Sequence, residues 1–327
     1  MRPHAMPDKI IYSALNCHTI NIKYCHLRFN MSHSISVILP SYNGRNLLEK
    51  NIPSVLKAID PFEHEIIVVD DCSTDDSIQF LEQNYPDIII IRSEVNRGFS
   101  NTCNKGINIA SKEFVCIANT DVTFTESYFT NALQCFSEND VFAVKGDIVN
   151  YDDNFDDVIN IEKTSLLYYK RGFLRFNQKI EANDEPLSSK INTQFVLLGC
   201  CFICKNDGLQ ALKGYDEIYS PFYWEDADLA HRALQSGYLL KYNPECKVYH
   251  QLSSTISTHY SKRKRRLVSY RNKFLFTWRH LKGFNNWLSH LLYTLFNLMI
   301  RWIILDWKYY VAFFQAVFRH FTFPRKN

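Results

Sequence analysis

Between residues 35 and 149 the chain alternates short, almost wholly apolar runs with longer stretches of helical periodicity. The apolar runs are ISVILP (35–40), EIIVVD (65–70), DIIIIR (87–92), EFVCIAN (113–119) and VFAVKGDIV (141–149), and helical patterns near 45–58, 75–84, 99–110 and 126–138 separate them. Strands that are apolar at almost every position are typical of a parallel sheet covered on both faces. The helices would supply the crossover connections that such a sheet needs. The sequence therefore predicts an α/β fold with a mostly parallel central sheet flanked by helices.

Each of the first four predicted strands ends in a polar segment. These segments are PSYNG (40–44), DDCSTDD (70–76), NRGFSNTCNKG (96–106) and NTD (119–121). Turn formation alone would explain any one of them, because such residues are common in turns. The carboxyl ends of parallel strands meet at one edge of a sheet, where open α/β folds bind ligands. Four polar segments at successive strand ends therefore predict a binding site at that edge.

The polar segments carry side chains that suit a nucleoside diphosphate. Tyr42 offers an aromatic face for a base, and Asp71 offers an acceptor for a donor group of the base or ribose. Arg97 supplies positive charge, and Gly98 lets the backbone approach the ligand closely. Asp121 would hold a divalent cation, because hard ions prefer carboxylate and phosphate oxygens.

Two alternatives bear on this interpretation. Asp71 and Ser73 could instead cap a helix that begins near Thr74. A nicotinamide-binding domain or a P-loop protein is disfavoured, because neither G-x-G-x-x-G nor G-x-x-x-x-G-K-[ST] occurs in the sequence.

Five segments together resemble the inverting family 2 glycosyltransferases of the GT-A fold, in particular the bacterial rhamnosyltransferase-like branch that builds cell-surface polysaccharides. They are SVILPSYNG, EIIVVDDCSTDDS, NRGFSNTCNKGI, ANTD and YWEDADLAHRALQSGY, and the resemblance covers about residues 35–280. It implies a GT-A fold with a Rossmann-like sheet. It also implies transfer of a sugar from a UDP- or dTDP-sugar to a hydroxyl of a cell-surface glycan or lipid-linked acceptor, with Mn²⁺ or Mg²⁺ as cofactor.

The resemblance also implies roles for particular residues. Asp121 and His250 would bind the metal, although Asn119 replaces the first acid of a strict D-x-D motif. The residues implied to seat the nucleotide sugar are Pro40, Tyr42, Asn43, Asp71, Arg97, Gly98, Asn104 and Thr120.

The segment WEDADL (224–229) is implied to carry catalysis. Inverting transfer needs a base that removes the proton of the acceptor hydroxyl, and Asp226 matches that place, with Glu225 beside it. Two adjacent acids can raise each other's pKa, which keeps one of them basic near neutrality. Alternatively, these acids only complement the dipole of the helix that follows. Trp224 would form a wall for the acceptor sugar, although a core position suits it nearly as well.

Residues 261–327 differ in composition from the rest of the chain. They carry fourteen Lys and Arg against one acid, Asp306, and four of the five tryptophans. The longest clean apolar run, Leu291–Ile300, is half of the roughly 20 residues that a transmembrane span needs. We therefore expect helices that lie on an anionic membrane surface. A homodimer through these helices and a transmembrane hairpin are alternatives, whereas nucleic acid is disfavoured because no nucleic-acid-binding motif accompanies the basic residues.

These observations predict three parts. Residues 1–33 form a poorly ordered extension, with Met31 as a natural start, because they lack the apolar region of a secretory signal and any clear period. Residues 34–258 form the GT-A domain, with a nucleotide-binding half (34–125) and an acceptor half (126–258) that contains an irregular or hairpin-bearing segment near 150–192. Residues 259–327 form the basic, aromatic helical tail.

The predicted location is cytoplasmic, on the inner face of the plasma membrane. The ten cysteines, most of them in strand-like runs, are interpreted as reduced thiols rather than disulfides. Cys200, Cys201 and Cys204 lack the second metal-type pair that a zinc site needs.

Two further activities stay open at this point. A sugar-phosphate nucleotidyltransferase would also place acids around a metal, but PSYNGRNLLEK lacks the glycines of its first loop. A catalytically inactive nucleotide-sugar-binding homologue is compatible with Asn119, although the Glu225–Asp226 pair argues against it.

Overall fold

The computed structural model describes residues 33–137, 140–151, 158–162, 164–179, 199–251 and 258–323. The extension predicted for residues 1–33 lies outside these ranges except for its last residue, and so does Met31. Parts of the segment predicted to be irregular, near 150–192, also lie outside them.

Four parallel strands with three intervening helices form the first half of the fold. The strands are β1 (Ser34–Ser41), β2 (Glu63–Asp70), β3 (Ile89–Arg92) and β4 (Phe114–Ala118), and the helices are α1 (Arg45–Ile59), α2 (Ser77–Asn84) and α3 (Phe99–Ile109). β1 pairs in parallel with β2 and with β4, and β2 pairs in parallel with β3. Their residues are buried almost throughout β1 and β4, as the continuous apolar runs predicted.

Three later strands extend this sheet. They are β6 (Val141–Lys145), β11 (Cys201–Lys205) and β12 (Leu239–Tyr242). The order within the described residues is β12-β6-β11-β4-β1-β2-β3, and β11 is antiparallel to both of its neighbours. The predicted α/β fold with a mostly parallel central sheet and flanking helices is therefore confirmed.

A second sheet lies next to the end of β4. It has the order β5-β13-β7-β8 and is formed by β5 (Val122–Phe124), β7 (Ile148–Tyr151), β8 (Val158–Glu162) and β13 (Val248–Gln251). The run 141–149, predicted as a single strand, is therefore divided between the two sheets, and so is the segment 239–250. The chain turns at Gly146, where a Cβ atom would lie 1.4 Å from the carbonyl oxygen of Cys246. Only glycine permits this approach, and apolar periodicity alone does not reveal the bend.

A hairpin and three short helices complete the second half. The hairpin pairs β9 (Thr164–Lys170) with β10 (Phe173–Lys179), and the helices are α4 (Tyr128–Leu133), α5 (Asn206–Ala211) and α6 (Glu225–Gln235). Arg171 and Gly172 in the hairpin turn both have positive φ, 50° and 76°. Such a two-residue turn matches the twist of the paired strands.

The tail forms the helices α7 (Lys262–His280), α8 (Phe284–Ile303) and α9 (Trp307–Thr322). Phe274, Leu275 and Phe276 of α7 are buried in a core cluster together with Tyr309 of α9 and Trp224 of the central domain. No described helix is long and apolar enough to cross a membrane. The eight cysteines in the described part of the chain are free thiols, as predicted.

Candidate active site

A cavity of about 770 Å³ opens where β1, β2 and β4 end. This volume is in the range of small-molecule and cofactor sites. Ten of the thirteen predicted site residues line it: Pro40, Tyr42, Asp71, Gly98, Thr120, Asp121, Trp224, Glu225, Asp226 and His250. The polar segments after the strands therefore do meet at one edge of the sheet.

Asp71 is buried and joins two loops of the cavity wall. Its Oδ1 accepts a hydrogen bond from the backbone N–H of Arg97 at 2.9 Å, and its Oδ2 accepts one from Gly98 at 2.8 Å. Gly98 has a φ of 85°, and a Cβ atom there would lie 2.5 Å from Cα of Pro221. The glycine is thus required by the approach of another loop, in addition to any role toward a ligand.

The alternative role of Asp71 and Ser73 as helix caps is wrong. The first residue of α2 is Ser77, and the carboxylate of Asp75 accepts its N–H at 3.2 Å. Ser73 instead accepts a hydrogen bond from the backbone N–H of Asn43 at 2.8 Å. Asp71 therefore connects the end of β2 to the segment before α3, and Ser73 connects the loops after β1 and β2, so neither side chain caps α2.

Three predicted site residues do not line the cavity. The side-chain oxygen of Asn43 accepts the N–H of Thr74 at 2.8 Å, so Asn43 connects the loops after β1 and β2. Asn104 of α3 donates to the carbonyl of Tyr215 at 2.9 Å and to Glu217 at 3.1 Å, which fixes the segment that leads to α6. The side chain of Arg97 is exposed.

Asp121 and His250 face each other across the junction of the two sheets. Asp121 follows β4 and His250 lies on β13, and Nε2 of His250 is 3.4 Å from Oδ1 of Asp121. Burial lowers the pKa of His250, but the hydrogen bond and charge of Asp121 outweigh that effect, so the pKa is raised. The family resemblance implied both residues as metal ligands, and the structure brings their side chains together.

Asn150 of β7 fixes the orientation of His250. Its Oδ1 lies 2.7 Å from Nδ1 of the histidine, while its Nδ2 donates to Glu162 at 3.0 Å. An acceptor at Nδ1 places the ring proton there, which leaves Nε2 with its lone pair toward Asp121 in the neutral ring. One carboxylate and one such nitrogen are suitable ligands for a divalent cation that also binds phosphate oxygens. No group of three or more such protein ligands occurs in the described ranges.

Glu225 and Asp226 begin α6 and line the cavity. Burial raises the pKa of Glu225, and the charge of Asp226 raises it further. Burial also raises the pKa of Asp226, against the opposing effect of hydrogen bonds from backbone N–H groups, among them that of Gly199. A Cβ atom at Gly199 would lie 3.3 Å from Cβ of Asp226. The two acids are therefore carboxyl groups whose protonation changes near neutral pH.

Asp228 has a different environment although it lies on the same helix. It accepts hydrogen bonds from Arg232 at 2.7 Å and from the hydroxyl of Tyr219 at 3.0 Å, and it lies 2.7 Å from Nε2 of His280. Burial opposes ionisation, but these partners prevail and hold the pKa of Asp228 well below its usual range. Asp228 is therefore a permanently charged structural group.

The backbone before α6 is strained. Tyr223 and Trp224 have positive φ angles of 73° and 80°, which are unfavourable for aromatic residues. The amide nitrogen of Asn272 on α7 donates to the carbonyls of Tyr219, Phe222 and Tyr223 at 2.6, 3.0 and 2.8 Å. These bonds stabilise the conformation that directs Glu225 and Asp226 into the cavity.

Trp224 lies both in the core and in the cavity wall, the two positions that were expected for it. It is only 8% exposed and packs against Phe176 and Phe276, with ring centroids 4.7 and 5.2 Å away. It nevertheless forms part of the cavity wall.

Sequence reasoning missed several cavity residues. These are Glu162 of β8, Tyr168, Arg175 and Phe176 of the hairpin, and Arg265, Ser269, Tyr270 and Lys273 of α7. The hairpin lies in the segment that showed no regular period. The family resemblance covered residues up to about 280, and that was the only available signal in the sequence that α7 belongs to the site.

Comparison with known proteins agrees with this architecture. The family model described as "Glycosyl transferase family 2" matches residues 36–201, and the model "Glycosyl transferase family group 2" matches residues 121–323. The putative teichuronic acid biosynthesis glycosyltransferase TuaG of Bacillus subtilis is 33% identical over 112 residues, which are 33% of this chain and 44% of that protein. The chain thus spans less than half of the length of this relative.

Two solved structures share the fold. The mannosyltransferase PcManGT from Pyrobaculum calidifontis, in complex with GDP-Man and Mn²⁺, has a TM-score of 0.52 at 16% identity, covering 89% of this chain and 76% of that one. S. aureus TarS 1–349 in complex with UDP-GlcNAc has a TM-score of 0.53 at 19% identity, covering 79% and 71%. The predicted GT-A fold is confirmed. With the family models matched over more than half of its residues, the chain belongs to glycosyl transferase family 2.

Proposed function

We propose that this protein transfers a sugar from a nucleoside diphosphate donor to a hydroxyl of a cell-surface glycan or lipid-linked acceptor, with inversion at the anomeric carbon. The observation that carries the proposal is the pair of carboxyl groups with raised pKa, Glu225 and Asp226, in one cavity with Asp121 and His250. A base near neutrality and a site for a diphosphate are the two requirements of this reaction.

The donor would lie along the ends of β1, β2 and β4. Tyr42, Asp71 and Thr120 line this part of the cavity and would contact the nucleoside. UDP- and dTDP-sugars are the proposed donors; the fold-related TarS was crystallised with UDP-GlcNAc. A rhamnosyl or hexosyl group is the proposed sugar.

Asp121 and His250 would hold Mn²⁺ or Mg²⁺ at the diphosphate. The fold-related PcManGT was crystallised with GDP-Man and Mn²⁺, and the carboxylate and Nε2 here suit such an ion. When bound, the cation would neutralise negative charge on the departing nucleoside diphosphate.

Asp226 is the proposed base. Its carboxylate would take the proton of the acceptor hydroxyl while that oxygen forms the new bond to the anomeric carbon. The bond from this carbon to the diphosphate oxygen breaks on the opposite face, and the nucleoside diphosphate leaves with the electron pair. The Gly199 N–H is a hydrogen-bond donor that would hold the carboxylate in place. Burial and the charge of Glu162 would keep the pKa of Asp226 near neutrality, while the more deeply buried Glu225 has a raised pKa of its own.

The outer face of α8 is the proposed membrane contact, on the inner face of the plasma membrane. Its exposed side chains are almost all apolar, and Phe284, Leu292, Met299 and Ile303 are 57% to 79% exposed. Basic residues of α7 are also exposed, namely Lys262, Arg263 and Lys264. Apolar and aromatic side chains beside Lys and Arg suit an anionic lipid surface. Pairing of two copies through α8 is the competing interpretation.

Donor binding and turnover test the enzymatic proposal. Purified protein is screened with UDP- and dTDP-sugars and Mn²⁺, and both the Kd and the release of nucleoside diphosphate are measured. We expect Asp121→Asn to weaken metal-dependent donor binding at least tenfold. We expect Asp226→Asn to keep the donor Kd within about twofold and to lower turnover by about 10²–10⁴-fold, the usual contribution of a general base.

The exposed Glu245 provides the control, since Glu245→Gln removes the same charge outside the cavity. Turnover that survives in Asp226→Asn at the level of Glu245→Gln would contradict the assignment of the base. If no nucleotide sugar binds, with or without metal, the proposed function is wrong. Donor binding with no turnover toward any acceptor would favour an inactive homologue, and synthesis of a nucleotide sugar from a sugar phosphate would favour a nucleotidyltransferase.

A further inference from the structure

Three cationic side chains line the cavity that also holds the carboxyl groups. Arg175 lies on β10, and Arg265 and Lys273 lie on α7. The hydroxyl-bearing rings of Tyr168 and Tyr270 line the same cavity. Neither the donor site nor the catalytic pair proposed above uses any of these residues.

No carboxylate in the described part of the chain forms an ion pair with these three cations. Nε of Arg175 donates to the carbonyl of Lys170 at 3.3 Å. Nζ of Lys273 lies 4.9 Å from the centre of the Phe173 ring, and Nε of Arg265 is buried with no hydrogen-bond partner. Burial lowers the pKa of Lys273 to about 8, and the positive charges of Arg175 and Arg301 contribute to this effect. The cluster lacks a negative charge to balance its three positive charges, and an anionic partner is what stabilises partly buried cations.

Arg175 and Lys273 also lie against the C-terminal helices. A second, smaller cavity of about 70 Å³ is also lined by Arg175 and Lys273, together with Asn297 and Arg301 of α8 and Tyr309 of α9. The cationic part of the site is therefore next to the C-terminal helices.

We propose that Arg175, Arg265 and Lys273 form a subsite for a phosphate group of the acceptor. The acceptor would then be a molecule that carries a diphosphate or phosphodiester near the hydroxyl that is glycosylated. This inference rests on the proposed glycosyl transfer, because it assigns the cluster to the second substrate. Guanidinium and ammonium groups form short, charge-assisted hydrogen bonds with phosphate oxygens. A neutral acceptor would leave the three cations without compensation.

Two sources could supply such a phosphate. A lipid diphosphate would place its chain near the exposed apolar face of α8, whereas a polyol-phosphate polymer would make no use of that face. Farnesyl diphosphate is a probe for the first source, with farnesol as its uncharged control. A tri(glycerol phosphate) oligomer is a probe for the second.

Equilibrium binding to the protein with all 327 residues tests the subsite. The Kd of each probe and the Kd of UDP are measured for the wild type, Arg175→Gln and Lys273→Gln. The control is Lys57→Gln, which removes one exposed positive charge on α1, outside the cavity and outside the proposed membrane contact. We expect at least one phosphate probe to bind, each cavity variant to weaken it about tenfold or more, and Lys57→Gln and the UDP affinity to stay within about twofold.

The binding results with these probes distinguish the possible outcomes. Cation-dependent binding of farnesyl diphosphate but not of farnesol supports the subsite with a lipid source, and the same result with tri(glycerol phosphate) alone supports it with a polymer source. Equal affinity of the variants and wild type for every probe would overturn the subsite. A parallel loss of UDP affinity would overturn it too, since the cluster would then serve the donor. Donor turnover in the same preparations shows separately whether the proposed transferase activity holds.

Discussion

Asp226 and Asp228 lie in the same short segment, WEDADL, but their environments shift the pKa of the two carboxyl groups in opposite directions. Asp228 is ionised because Arg232, Tyr219 and His280 surround it, whereas Asp226 faces the cavity with mainly backbone partners. The family resemblance of WEDADL implied Asp226 as the base, but nothing in the segment indicated that Asp228 is held ionised by distant partners. The assignment depends on His280 and Tyr219, which are 52 and 9 residues away from Asp228.

Because the pKa of Asp226 is raised, we expect the free energy of unfolding to depend on pH. Burial raises this pKa from 3.8 to about 7, so between these values the folded protein binds more protons at this site than the unfolded chain does. Stability must therefore fall as the pH rises through this window. We expect Asp226→Asn to melt close to the wild-type temperature at pH 4 and several degrees higher at pH 7.5, because the amide carries no charge to bury.

Thermal unfolding from pH 4 to pH 8 checks this expectation, with Glu245→Gln as the control for removal of an exposed acid. A melting difference between Asp226→Asn and wild type that is the same at every pH would show that the carboxyl titrates normally. The site would then lack the base that the proposed reaction needs.

At the level of elements, the first half of the fold was predictable and the later part was less so. β1 to β4 and the helices between them follow directly from apolar periodicity and from polar residues at the strand ends. The division of 141–149 between β6 and β7 depends on the contact of Gly146 with Cys246, which is a hundred residues away. Similarly, contacts between segments that are distant in sequence place the hairpin and α7 at the cavity wall. Local sequence patterns do not reveal such contacts.

The helix α7 supports the segment before Glu225 through Asn272. Asn272→Ala and Asn272→Asp both remove donors from the carbonyls of Tyr219, Phe222 and Tyr223, and Asp also brings negative charge toward these oxygens. With each lost bond worth about 0.5–1.5 kcal/mol, we expect a loss of about 2–4 kcal/mol in the free energy of unfolding. Turnover should fall at least tenfold, because the strained backbone before Glu225 is released.

Urea unfolding and donor turnover measure the two effects of the Asn272 variants. Arg263→Ala changes an exposed residue of the same helix and should alter neither. Wild-type turnover in a folded Asn272→Asp protein would show that these hydrogen bonds do not position the catalytic pair.

For the molecule as a whole, the outer face of α8 is the largest departure from an ordinary soluble surface. Exposed apolar side chains run along most of its length, and monomeric soluble proteins rarely expose large contiguous patches of this kind. Composition alone predicted an aromatic, basic tail, but it did not predict that α7 would be packed into the domain while α8 presents its apolar face outward, with Phe314, Phe318 and Phe321 of α9 also exposed.

Vesicle binding tests the proposed membrane contact. Leu292→Glu and Met299→Glu place charges on the exposed face of α8, so we expect each to lower partitioning to vesicles of phosphatidylcholine and phosphatidylglycerol about tenfold or more. Because Leu292 and Met299 are both exposed, neither substitution should change the melting temperature appreciably. Sedimentation with vesicles and analytical ultracentrifugation without them are run on the same proteins. Unaltered vesicle binding, together with loss of a dimer in the variants, would favour pairing of two copies instead.

The position of Asn272 and Lys273 next to each other on α7 has a practical consequence. Asn272 fixes the loop before Glu225 and Asp226, and Lys273 lines the cavity that these two carboxyl groups also line. A protein truncated after residue 258 to improve solubility would lose both residues. It would also lose Arg271 and Arg319, which donate to the carbonyl of Ser220 at 2.5 and 2.9 Å. Inactivity of such a truncated protein would therefore say nothing about membrane attachment, and solubility is better sought by replacing apolar residues on the outer face of α8.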